Sequence, residues 1–129
     1  MIYEDADHIV FLNRFPTVPG YVLLAPREHR INVTGDFTVE EYLATQRLLH
    51  SVAEAVRTEL GAERVYILSL GSHQGNAHVH WHVAPLPPGT PYDKQQFEAL
   101  RAENGILCIP DQEMKEFADR LRLRLAGCT

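Results

Sequence analysis

The apolar positions of the chain fall into short runs and longer periodic stretches, and the change of period marks out the elements. His8-Ile9-Val10-Phe11-Leu12 and Tyr21-Val22-Leu23-Leu24-Ala25 are separated by Asn13-Arg14-Phe15-Pro16 and Val18-Pro19-Gly20. Proline and glycine punctuate strands, so the two runs predict adjacent antiparallel strands. Thr38-Val39-Glu40-Glu41 has the capping-box pattern, in which a hydroxyl and a carboxylate three residues on satisfy each other's backbone N–H groups. Tyr42, Leu49, Val52, Val56 and Leu60 then recur at helical intervals and Gly61 follows, which predicts a long amphipathic helix.

Arg64 to Leu70 is short and rich in β-branched and aromatic residues, so it reads as a strand leading into the loop Gly71-Ser72-His73-Gln74-Gly75-Asn76. Ala77 to Ala84 reads as the next strand, stopped by Pro85-Leu86-Pro87-Pro88-Gly89. Asp93-Lys94-Gln95-Gln96 offers a second capping box for a short helix ending before Gly105. Pro110-Asp111 opens a helical tail over about 111–126, with Met114, Phe117, Leu121 and Leu125 on one face. Strands and helices that do not alternate regularly predict an α+β fold with a mainly antiparallel sheet. With 129 residues, no internal repeat and no linker, the expectation is one domain over 1–129.

Chemistry concentrates in His78-Val79-His80-Trp81-His82. On a strand the three imidazoles share one face while Val79, Trp81 and Val83 share the other, and a one-residue slip would bury the histidines. Three readings compete. Histidines are tolerated on a half-exposed strand, although strict alternation of three argues against accident. A metal site is the second, but the outer two positions of such a strand lie about 13 Å apart, too far for one ion to hold all three. His8, His29, His50 or His73 would have to complete it. The third uses every position: a central neutral imidazole acts as nucleophile at phosphorus, while its neighbours hold phosphate oxygens or the leaving group. The glycine-bearing loop before the strand offers N–H groups and the Gln74 and Asn76 amides to an oxyanion.

Composition narrows the partners. A formal charge of -5 with only 12 Lys and Arg argues against nucleic acid, which needs a clustered basic face, but a small nucleotide needs none. The acidic start Met1-Ile2-Tyr3-Glu4-Asp5-Ala6-Asp7 lacks a secretory pattern and no apolar run reaches a membrane span, so a cytoplasmic protein is expected. Cys108 and Cys128 lack CxxC spacing and suggest neither a disulfide nor a zinc knuckle.

His78-Val79-His80-Trp81-His82-Val83-Ala84 resembles the His-φ-His-φ-His-φ-φ signature of the histidine triad (HIT) superfamily. The stretch from Phe11 through Asn13-Arg14, Pro16 and Pro19-Gly20-Tyr21 to Pro26 is similar to the family's Asn-Arg, Pro and Pro-Gly-His stretch, and the likeness spans about residues 5–87. The resemblance implies a five-stranded antiparallel sheet with one long and one or two shorter helices, usually in a homodimer. It implies hydrolysis or transfer of nucleoside monophosphate groups with no cofactor or obligatory metal. His80 would be the nucleophile, His82 would contact the α-phosphate and leaving group, and His78 would orient the site. Asn13 would sit by the ribose, and Gln74, with Asn76 beside it, by the phosphate. The family's fourth histidine is replaced by Tyr21, whose hydroxyl can donate a hydrogen bond but does not exchange protons near neutral pH. The usual Pro-Arg after the triad is replaced by Pro85-Leu86-Pro87-Pro88.

Dinucleoside polyphosphates or adenylated small molecules are the expected substrates. A nucleoside phosphoramidase of the same superfamily is the alternative, and a non-catalytic nucleotide- or metal-binding module is another. His29 and His50 read as structural or solvated, and His8 carries no motif.

Overall fold

A computed structural model describes residues 1–70 and 77–126. Five strands, β1 (Tyr3–Glu4), β2 (His8–Leu12), β3 (Val22–Pro26), β4 (Arg64–Leu68) and β5 (Trp81–Leu86), form one sheet in the order β1-β2-β3-β5-β4. Every neighbouring pair is antiparallel. The sheet and its flanking helices, α1 (Val39–Leu60) and α3 (Asp111–Ala126), make the α+β architecture expected.

Alternation along the strands gives the sheet two faces. Val10, Val22, Leu24, Trp81 and Val83 are buried together with Leu49, Val52 and Val56 of α1 and Phe117, Leu121 and Leu125 of α3. Thr38 and Glu41 form the reciprocal capping box, and Gly61 closes α1 in the left-handed conformation at φ 59°. Glu59 near the end of α1 binds both Arg120 and Arg124 of α3, at 2.5 and 2.6 Å, fixing the helices against each other.

The opposite face is covered only in part. Val18, Tyr21 and Ala84 form a small buried cluster with Leu23 and Tyr66, roofed by Ala99 and Leu100. Those last two belong to α2 (Phe97–Leu100), a single helical turn between the 3-10 turns Tyr92–Lys94 and Ala102–Asn104. The capping box expected at Asp93 does not form. Gln95 donates its amide to Thr90 O and Gln96 its N–H to the Tyr66 hydroxyl, so both glutamines are held elsewhere and the chain turns out at Gln96 with φ 56°.

Strand β3 is shifted by one residue from the expected Tyr21–Ala25, β4 ends at Leu68 rather than Leu70, and β5 differs from expectation at both ends. Proline does not stop β5: Pro85 pairs opposite Val65 and the strand runs on to Leu86. Its β3 ladder ends at Val83, so the missing N–H of Pro85 interrupts no bond on that side. The hydrogen-bonded strand begins at Trp81 rather than Ala77, which leaves His78 and His80 in the approach to it.

Candidate active site

The approach to β5 is tied to the segment after β3. Val79 N–H donates to Arg30 O at 2.8 Å, and Arg30 N–H donates to His78 Nδ1 at 3.2 Å. His78 Nε2 lies 2.8 Å from Pro26 O, and since a carbonyl only accepts, that nitrogen carries the proton. Both nitrogens of His78 therefore serve as struts that hold the approach against the end of β3, and the His29 ring stacks on it with centroids 5.2 Å apart. These bonds replace the strand pairing expected there. The alternation survives nonetheless, because Val79 and Trp81 are buried at 2% and 3% exposure while the histidines stay on the other side.

His80 Nδ1 sits 2.8 Å from the His78 carbonyl oxygen, so Nδ1 is the protonated nitrogen and Nε2 keeps its lone pair. Ser69 Oγ donates to His80 O at 2.8 Å and anchors the backbone from the β4 side. The ring of His82 is tilted against that of His80, centroids 4.8 Å apart. His82 Nδ1 meets the Tyr21 hydroxyl at 2.5 Å. Burial, followed by the neighbouring His80, pushes His82 down to about 4, so it is neutral at pH 7. Burial pushes the Tyr21 phenol up to about 12.

His78 and His80 line a cavity of about 500 Å³ with Ile9, Phe11, Leu23, Ala25, Pro26 and Arg27. The apolar residues come from β2 and β3 on the face of the sheet opposite α1 and α3. The pairs Ile9↔Ala25 and Phe11↔Leu23 set them side by side. By sequence these residues are strand formers; the signal of a pocket is that both faces of β2 and β3 carry apolar side chains, more than one helical layer needs. Arg27 at the rim is paired with Glu4 and donates to Asp5 O at 2.6 Å.

Asn13 N–H bonds Tyr21 O at 2.9 Å, which sets the two residues opposite each other at the β2–β3 turn. The Asn13 side-chain oxygen accepts from Phe15 N–H at 2.9 Å and builds the turn, and Asn13 lines a second cavity of about 300 Å³ toward Leu60 and Phe117. Gln74 and Asn76, expected near the phosphate, lie outside the described residues, as does His73. His8 clips β2 to α1 through Nε2 and Thr45 Oγ1 at 2.9 Å, and His50 is exposed on α1. Among the described residues no three histidines, cysteines or carboxylates are grouped to hold a metal ion.

A lone-pair imidazole nitrogen beside a neutral imidazole, over an apolar cavity of nucleoside size, is suited to attack on a phosphorus held at its mouth. The family model described as HIT domain matches residues 1–88. The chain belongs to the HIT family. An uncharacterised HIT-like protein of Saccharolobus solfataricus is 32% identical over 91 residues, covering 66% of this chain and 63% of that protein. The chain thus aligns with less than two thirds of that relative's length. Among solved structures, a zinc-bound histidine triad family protein from Mycobacterium smegmatis superposes with a TM-score of 0.72 at 28% identity, over 98% of this chain and 84% of that one. The diadenosine triphosphate hydrolase of Plasmodium falciparum, in complex with cyclomarin A, superposes with a TM-score of 0.70 at 17% identity, over 98% and 76% of the two chains. At that identity the likeness is one of fold.

Proposed function

We propose that this HIT protein is a nucleotide hydrolase or transferase that forms a nucleotidyl-histidine on His80 Nε2, with dinucleoside polyphosphates or adenylated small molecules as substrates. The observation that carries the reading is the bond from His80 Nδ1 to His78 O, which fixes the tautomer a nucleophile needs. The nucleoside lies in the cavity of Ile9, Phe11, Leu23 and Ala25, and its α-phosphate meets His80. The imidazole nitrogen bonds to phosphorus, the bond from phosphorus to the leaving group breaks, and the electron pair departs with that group. Water then attacks the same phosphorus, returns the imidazole and releases a nucleoside monophosphate. His82 Nε2–H donates to a phosphate oxygen, and His78 holds the loop in register. Asn13, across from Tyr21, is assigned to the ribose, and Gln74 and Asn76, which lie outside the described residues, to the phosphate.

Among the described residues the floor of Ile9, Phe11, Leu23 and Ala25 carries no polar side chain able to read a base edge, so a weak base preference is expected. Family membership supports a nucleotide-binding or hydrolase role of this type. The test is AMP release from diadenosine tri- and tetraphosphate and from an adenosine phosphoramidate, with and without EDTA. Release that persists in EDTA supports the reading; loss in EDTA with recovery in zinc would replace it by a metal enzyme. Homodimerisation, cytoplasmic residence and the absence of nucleic-acid or membrane partners belong to the same proposal. Edge strand β4 presents Ile67, 48% exposed, to a second copy, and light scattering reads the mass directly. No helix among the described residues is long and apolar enough to cross a membrane.

A further inference from the structure

Tyr21 stands where the family pattern has a histidine, and its surroundings decide what its hydroxyl does. The residue is 6% exposed and packed with Val18 and Ala84, under Ala99 and Leu100. Among the described residues the partner of its oxygen is His82 Nδ1, 2.5 Å away, with the two rings edge to face at 76°. Were Nδ1 the donor, the phenolic proton would be buried without an acceptor among the described residues, a loss of about 1–3 kcal/mol. The phenol therefore donates, and the proton of His82 sits on Nε2. Forming an imidazolium would set Nδ1–H against O–H at the same separation and turn the phenolic proton into the apolar cluster.

The other neighbours of His82 do not favour a charge. Leu68 of β4 and Leu23 of β3 stand directly opposite it, and the ring beside it is His80. The downward shift of His82 has burial and His80 as its causes, with no carboxylate opposing them.

We propose that Tyr21 is a positioning residue that sets leaving-group specificity: by donating to Nδ1 it holds His82 as a neutral Nε2–H donor, and so favours phosphoanhydrides over phosphoramidates. The inference rests on His80 as the nucleophile. When His80 displaces a phosphoanhydride, the P–O bond breaks and the electron pair stays on the oxygen of a phosphate, a stable anion that needs no proton. When it displaces a phosphoramidate, the pair goes to nitrogen, and the amine leaves only if an acid supplies a proton as the P–N bond breaks. A neutral imidazole and a phenol held near 12 are both poor acids for that step. A histidine at position 21 would hold and pass a proton near neutral pH.

The experiment measures kcat/KM for diadenosine triphosphate and for adenosine 5′-phosphoramidate with the wild-type protein, Tyr21→His and Tyr21→Phe, beside the ¹⁵N spectrum of His82. The wild type is expected to prefer the anhydride. Tyr21→His should raise the phosphoramidate-to-anhydride ratio by roughly tenfold or more, a modest part of what a positioned acid contributes. In the spectrum, wild-type His82 should be the Nε2–H tautomer at pH 7, and Tyr21→Phe, which removes the donor to Nδ1, should admit the Nδ1–H tautomer. An unchanged ratio in Tyr21→His, or an Nδ1–H tautomer or imidazolium in the wild type at pH 7, overturns the proposal. Cleavage of neither substrate by any of the three proteins overturns the functional reading beneath it, and the tautomer is decided by the spectrum even then.

Discussion

His78 and His80 are distinguished by what their nitrogens already do. Both nitrogens of His78 are engaged with backbone, to Pro26 O and from Arg30 N–H, whereas among the described residues His80 is bonded through Nδ1 alone. The two histidines should therefore fail differently. His78→Ala removes two bonds that fix the loop, so it should lower both turnover and stability, the latter by about 1–3 kcal/mol in urea unfolding. His80→Ala should leave the urea midpoint near wild type and reduce turnover by at least about 1000-fold, while nucleotide binding measured by calorimetry persists.

At the scale of elements, α1 and the β2–β3 turn carry the clearest sequence instructions. Thr38→Ala breaks a cap that is formed from both sides and should cost about 1 kcal/mol in urea unfolding without changing nucleotide turnover. Gly20 has φ 76°, and a Cβ there would come within 2.4 Å of Leu60 Cδ1. Gly20→Ala is expected to cost about 1 kcal/mol or more, read the same way, because the backbone strain remains even if Leu60 moves aside. Helix α1, the tail helix and β2 were legible because each has its own period or cap. The start of β5 was not, since alternation fixes which side a residue faces and not whether its N–H meets a neighbouring strand; Val79 donates to Arg30 instead. Strand β1 was missed because Tyr3–Glu4 is two residues long and carries no period. The triad's order in sequence named the site, but its tautomers depend on Pro26, Arg30 and Tyr21, which are 52, 48 and 61 residues away from their partners.

For the whole molecule, the buried imidazole ties stability to pH. His82 titrates at about 4 in the folded chain against an ordinary value of 6.5, so between those values the unfolded chain binds a proton that the folded chain does not. Stability is then full above about pH 6.5 and falls as pH drops toward 4. Glu41, held down to about 2 chiefly by Arg30, adds a contribution that is present above 4.5 and lost as pH falls through 2. Urea midpoints at pH 7 and pH 5 should differ in the wild type, and His82→Gln should flatten the difference; a flat wild-type profile would contradict the burial of this imidazole.

The account as a whole depends on a covalent bond to one nitrogen. The most direct measurement is intact and peptide mass spectrometry of protein mixed with diadenosine triphosphate and quenched without acid, since a phosphorus–imidazole bond is acid-labile. The account predicts an added adenylyl group located on His80, formed in EDTA and lacking in His80→Ala. Turnover with no adduct on His80, or an adduct on another residue, would contradict it.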